Sequence, residues 1–195
     1  MKGRGVRHAG NITGGNRCFR SCHEGAKDAS ARETSWTGYS ALGAGDRVEA
    51  ARACRELTGS LYEGLDVTSE VESVLKQSLG ETVLLWDGDL LDAFAVCHCG
   101  EGTEAGTDNC LIKFAAVRSG SNAGRNLEHL LEACESLAQS RGMHRIEAGV
   151  NLGRSQAYRD MLRFGYRTHT QGVAMHRPDS AGYNRPDVYV LDDWR

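Results

Sequence analysis

The sequence predicts an α/β or α+β domain, with helices packed on a mixed sheet. Three observations lead there. Periodic segments run in the order two helices, three strands, helix, strand, helix, two strands, a mixture that layers helices on a sheet. An Asp87-Gly88 pair between two apolar runs signals a tight hairpin, so part of the sheet is antiparallel. The chain has 195 residues, 40% of them hydrophobic and 25% charged, which is enough for one soluble domain with a real core.

Residues 1–45 carry nine glycines and almost no apolar period, and read as a disordered or irregular leader. The domain is expected over 46–195. Asp46 is placed to N-cap the helix "RVEAARACRELTGSLY". In "DVTSEVESVLKQSLG" Thr68 is the expected cap, Val71, Val74, Leu75 and Leu79 form one stripe, and Gly80 is the stop signal. "TVLLWDGDLLDAFAVCHCG" reads as a hairpin and "CLIKFAAVR", after the polar loop "EGTEAGTDN", as a third antiparallel strand. Leu127, Leu130, Leu131, Cys134, Leu137 and Ala138 recur at helical spacing before Arg141 and Gly142. "RIEAGV" is a strand, "SQAYRDMLRFG" a short helix closed by Gly165, and "GVAMHR" and "DVYVL" are the last strands.

Charge and cysteine usage exclude several functions. Residues 1–40 have a net charge of +4 and the remainder −7, so the folded part is mildly acidic and lacks a basic face for nucleic acid. No apolar run approaches the roughly 18 residues a membrane span needs. The start "MKGRGVRHAGNITGG" has no apolar stretch and does not read as a secretory signal. Seven cysteines, an odd number without dense spacing, read as reduced thiols in a cytoplasmic protein. "CFRSCH" and "CHC" lack a second matched pair, so no metal site is expected.

The stretch "KFAAVRSGSNAGRNLEHLLEA" runs from strand through a small polar loop into an amphipathic helix, an order that can hold a phosphate. A plain strand-to-helix turn, capped by Ser121 or Asn122, is the other reading of the same residues. Over residues 46–195 the chain resembles the GNAT acetyltransferase superfamily. Val117 fits the strand end, Leu130-Leu131 the helix pair and Val150 the next strand end. Ala157 fits the signature alanine, and Gly165-Tyr166 the Gly-Phe. Asn122 stands where that family has Arg, and Arg125 and Leu127 stand at its two glycines. Arg154 stands at its Asn, and Met161 at the Tyr that serves many relatives as general acid. The ending "YNRPDVYVLDDWR" is similar to that of bacterial relatives, some of which carry two such domains in tandem.

The resemblance implies a mixed central sheet with helices on both faces and acetyl-CoA as co-substrate. Its phosphates would lie on Asn122, Ala123, Gly124 and Arg125, with Arg118 and Arg125 as cationic forks. The acetyl group would lie against the strand end at Ala116, Val117 and Arg118, with a backbone N–H near Ala116 on the acetyl oxygen. The acceptor would be a small-molecule or peptide amine, with no nucleic-acid or membrane partner. Met161 cannot protonate a thiolate. Tyr158, one turn earlier, is the candidate to stand in; with Leu162 at i+4 it also reads as a packing aromatic. Glu147, Glu104 and Asp108 are equivalent candidates for the base, His98 reads as structural and His129 as solvent-facing. An N-acetyltransferase is therefore expected. The alternative is an inactive domain of the same fold that binds acyl-CoA or a protein, or part of a two-domain enzyme.

Overall fold

In the computed structural model, residues 11–22, 36–176 and 182–192 are described. They form strands β1 (Asn11–Ser21), β2 (Thr37–Gly38), β3 (Gly80–Asp87), β4 (Leu90–Cys99), β5 (Asn109–Val117), β6 (Arg145–Asn151), β7 (Arg167–His176) and β8 (Val190–Asp192). The helices are α1 (Ala44–Leu61), α2 (Thr68–Lys76), α3 (Ala123–Ser140) and α4 (Ser155–Arg163). One sheet runs in the order β2-β3-β4-β5-β6-β1-β7, and β8 pairs with β5. The expected mixed α/β architecture is what forms.

Alternation along the strands feeds two cores. Ala93, Ala95, Ile112, Ala115, Val117, Ile146, Ala148 and Val150 face Leu127, Leu130, Leu131 and Cys134 of α3 and Ala157 and Met161 of α4. Leu84, Phe94, Val96, Phe114 and Ala116 face Cys54, Leu57 and Leu61 of α1 and Val71 and Val74 of α2. Helices thus cover both faces, as an apolar sheet in this setting requires.

The hairpin falls where Asp-Gly placed it: Asp87 pairs with Leu90, and Gly88 adopts the positive φ (58°) that a two-residue turn asks for. Gly142 and Gly165 close α3 and α4 as expected. In each, the residue after the glycine bonds back to the last turn: Met143 N–H to Ala138 O (2.8 Å) and Tyr166 N–H to Met161 O (3.0 Å).

Three end signals fall elsewhere. Asp46 lies in the first turn of α1 rather than at its cap, which is Gly43. Thr68 opens α2, and it is Asp66 whose carboxylate accepts from the Thr68 N–H (2.9 Å). Ser78 at φ 55°, not Gly80, ends α2, with Leu79 N–H bonded to Val74 O (3.0 Å). Gly80 instead begins β3, where a Cβ would overlap the Cys97 carbonyl oxygen.

The largest correction concerns the leader. Asn11–Ser21, expected to be irregular, is a strand next to the edge strand β7, antiparallel to β6 on one side and β7 on the other. Thr37–Gly38, also before the expected start at 46, pairs with β3. Ladders on both edges hold β1, and Cys18 and Cys22 enter the core beneath α3, so pairing supplies what the glycine-rich stretch lacks in period. Residues 1–10 and 23–35 of the expected leader lie outside the described residues.

Candidate active site

The site begins with one extra residue. Val96 pairs with Phe114 but Cys97 pairs with Ile112, so Lys113 is a bulge in β5. A bulge bends its strand and sharpens the local twist. The parallel pairing of β5 with β6 covers Asn109 to Ile112 and stops there. Beyond it the two strands part, and the opening contains β8. Phe114, Ala115 and Ala116 pair with Asp192, Leu191 and Val190, and Val117 N–H donates to Tyr189 O (3.0 Å).

Past Val117 the chain turns through an exposed loop into α3. Asn122 is the cap residue and makes no side-chain cap bond. Ala123 N–H is bonded to Gly120 O (3.1 Å) and Asn126 N–H to Asn122 O (2.8 Å), which leaves the Gly124 and Arg125 N–H groups as the available first-turn donors. Arg118 does not reach outward as a fork. Its backbone N–H binds Asp92 O (2.8 Å), and its guanidinium binds Leu91 O through Nε (3.0 Å) and Nη2 (2.9 Å), tying the loop to β4. Arg125 is exposed in the first turn of α3, and Ala123 is buried.

Gly124 is narrow for a local reason. A Cβ there would stand 3.2 Å from Asp160 Oδ2 and 3.3 Å from the Tyr189 hydroxyl. Tyr189 donates to Asp160 Oδ2 (2.8 Å), and burial together with that bond pushes its hydroxyl up to about 12. Leu127, at the second glycine position of the resemblance, is fully buried core.

Arg154 is the feature that sequence reasoning missed. It is 2% exposed and all of its guanidinium nitrogens are engaged. Nη2 forks onto both Asp192 oxygens (2.8 and 2.9 Å), Nη1 donates to Val190 O, and Nε donates to Asn184 Oδ1 (3.0 Å). The Tyr183 ring lies 5.2 Å from the guanidinium, and the Tyr183 hydroxyl donates to Asp192 Oδ2 (2.9 Å). Pro186 O accepts from the Gln156 N–H (3.1 Å) at the start of α4. The signal in the sequence was an arginine standing at the family's asparagine, and its partner thirty-eight residues later was not legible.

The remaining candidates are dispersed. Ala116 and Val117 line the opening under β8, whereas the Tyr158 hydroxyl meets Thr168 Oγ1 of β7 (3.2 Å), with β6 and β1 between β7 and β5. Met161 is fully buried beneath α3. Glu147 pairs with Arg145 (2.8 Å) and lies 3.7 Å from His169 Nε2, Glu104 pairs with Lys113 at the bulge, and Asp108 sits in the exposed loop at φ 58°. His98 is buried in β4 and His129 is half-buried on α3. Among the described residues, no three ligating side chains gather as a metal group, and no helix is long and apolar enough to cross a membrane.

The sequence matches no family model and no curated protein. Its structure is similar to that of a GCN5-related N-acetyltransferase from Sphaerobacter thermophilus, with TM-score 0.58 and 14% identity, over 89% of this chain and 55% of that one. It is similar to a GNAT-family acetyltransferase from Colwellia psychrerythraea, with TM-score 0.60 and 12% identity, over 85% of this chain and 56% of that one. It is also similar to Saccharomyces cerevisiae N-myristoyltransferase with bound myristoyl-CoA, with TM-score 0.53 and 10% identity, over 90% of this chain and 53% of that one. The chain spans little more than half the length of each. These likenesses in structure show the fold: the chain has the fold of the GNAT acetyltransferases.

Proposed function

We propose that the protein is an acyltransferase that takes an acetyl group from acetyl-CoA and delivers it to an amine. One observation carries this reading: the bulge at Lys113 parts β5 from β6 beside an uncapped helix start. A parting of this kind suits a thioester arm beside backbone donors for phosphate, and so supports the reading. The likeness in fold supports the reaction class. Acetyl as the acyl group, and a small-molecule or peptide amine as acceptor, follow from the resemblance in the sequence.

Within this reading Arg125, Gly124, Ala123 and Asn122 hold the phosphates, and the end of β5 from Ala116 to Arg118 faces the acetyl group. The attacking amine loses its proton to water or to an exposed carboxylate. The leaving thiolate takes its proton from solvent, since Met161 is apolar and Tyr158 is turned toward Thr168. Transfer is then driven by positioning rather than by a dedicated acid.

A second reading has its own observation. β8 fills the opening that the thioester would enter, which favours a catalytically inactive relative that keeps the scaffold for binding. Thermal unfolding of the full chain with and without acetyl-CoA decides between them, together with chromatographic detection of free CoA in a mixture of amines. Ligand at 100 times its dissociation constant adds about 2.7 kcal/mol, a rise of roughly 2–4 °C per kcal/mol in a domain of this size. A rise with CoA release supports transfer. A rise without release supports the binding module, and no rise counts against acyl-CoA binding by the resting protein in both readings.

A further inference from the structure

We propose that β8 is an internal competitor for the acyl-CoA slot, held in place by the Arg154–Asp192 pair, and that the protein takes up acyl-CoA when this strand leaves β5. The inference rests on the acyl-CoA reading above. It goes beyond that reading by naming what occupies the slot and what releases it.

The opening between β5 and β6 accepts an extended backbone. β8 uses it as a strand would, pairing Val190 with Ala116 and Asp192 with Phe114. A thioester arm laid along the end of β5 needs the same edge, so the two occupants exclude each other. The attachment is short: three residues of ladder, one further bond from Val117 to Tyr189, and the fork on Asp192.

The fork decides the balance. A buried guanidinium stripped of its carboxylate is strongly unfavourable, so Arg154 holds the strand firmly while Asp192 is present. Once the segment has left, the opening admits water and Arg154 is hydrated there. The latch therefore weighs on the closed state and not on the open one. Tyr183, bonded to Asp192 and lying beside the guanidinium, and Asn184, bonded to Nε, belong to the same latch. Tyr189 covers Gly124 at the start of α3, so one segment occupies both the acyl slot and part of the expected phosphate end.

Competition predicts that apparent affinity rises as the closed state loses weight. In the full chain, Asp192→Ala should hasten hydrogen exchange at the Val117 amide and tighten acetyl-CoA binding by about tenfold or more, read by calorimetry. A lock tests the same point in reverse. Ala116 and Val190 are directly opposed and their neighbours share the Val117–Tyr189 bond. They therefore form the close, non-hydrogen-bonded type of pair, suited to a disulfide. Ala116→Cys with Val190→Cys, oxidised, should lose acetyl-CoA binding and regain it on reduction.

If the oxidised form binds acetyl-CoA as tightly as its own reduced form, the competitor proposal is overturned and the acyl-CoA reading stands. If Asp192→Ala frees the Val117 amide and neither it nor the wild type binds acetyl-CoA, the acyl-CoA reading falls and the proposal with it. Should Asp192→Ala fail to fold, the locked pair decides alone.

Discussion

Met161 and Arg125 separate packing from chemistry at the residue scale. Met161 occupies a position where many relatives of the resembling family have tyrosine, yet here it is enclosed between α3 and the sheet. Met161→Tyr should lower stability by about 1–3 kcal/mol, because the added ring and hydroxyl have no space or partner. It should bring no gain in acetyl transfer; a thermal melt and an activity assay check both halves, and a faster enzyme would show that the position had lost an acid. Arg125 is exposed and unencumbered by the core. Arg125→Glu should leave the melt nearly unchanged and weaken acetyl-CoA binding by about tenfold, the order of one charge-assisted hydrogen bond. Unchanged affinity would remove it from the phosphate end. Leu127 needs no such test: its full burial explains why no glycine stands there.

Among elements, β1 has the widest consequence. It separates β6 from β7 and carries Cys18 and Cys22 into the core. Removing residues 1–22 should expose two strand edges and a cavity, so the shortened chain should lose its cooperative melt and aggregate. Size-exclusion chromatography and far-ultraviolet dichroism would reveal it, and a shortened chain that melted like the full one would mean that β1 is dispensable. A chain begun at Asp46, where the sequence suggests the domain starts, would lack both β1 and β2. The helices and the β3–β4 hairpin were readable because their signals are local: a 3.6-residue apolar period, a glycine past a last turn, Asp-Gly between two runs. β1 was not readable because its stability comes from ladders to residues more than 120 positions away.

For the whole molecule, the seven cysteines give a simple probe. Burial raises Cys22 to about 11, with the Glu135 carboxylate adding to it, and raises Cys54 to about 12. Six of the seven are buried and Cys99 is partly covered. Thiolate is the reactive form, so at neutral pH the native protein should label slowly and incompletely with a thiol reagent, while all seven should label in denaturant. Rapid labelling of several thiols in the native protein would contradict the packing beneath α3. Six of the cysteines thus act as small core residues.

The sequence by itself determined which segments are helix and which are strand over residues 46–176. It also determined the strand-loop-helix order around Ser119–Asn122, because each depends on periodicity and on end signals a few residues apart, whereas helices on both faces were implied by the family resemblance. Only the tertiary structure decided that a glycine-rich stretch is an interior strand, paired on both sides, and that Lys113 is a bulge that parts the sheet. It alone placed Tyr158 toward β7 and set Arg154 beneath the chain's own last strand. Those outcomes depend on which distant backbones share a ladder and which charges share a buried space, and neither leaves a period in the sequence.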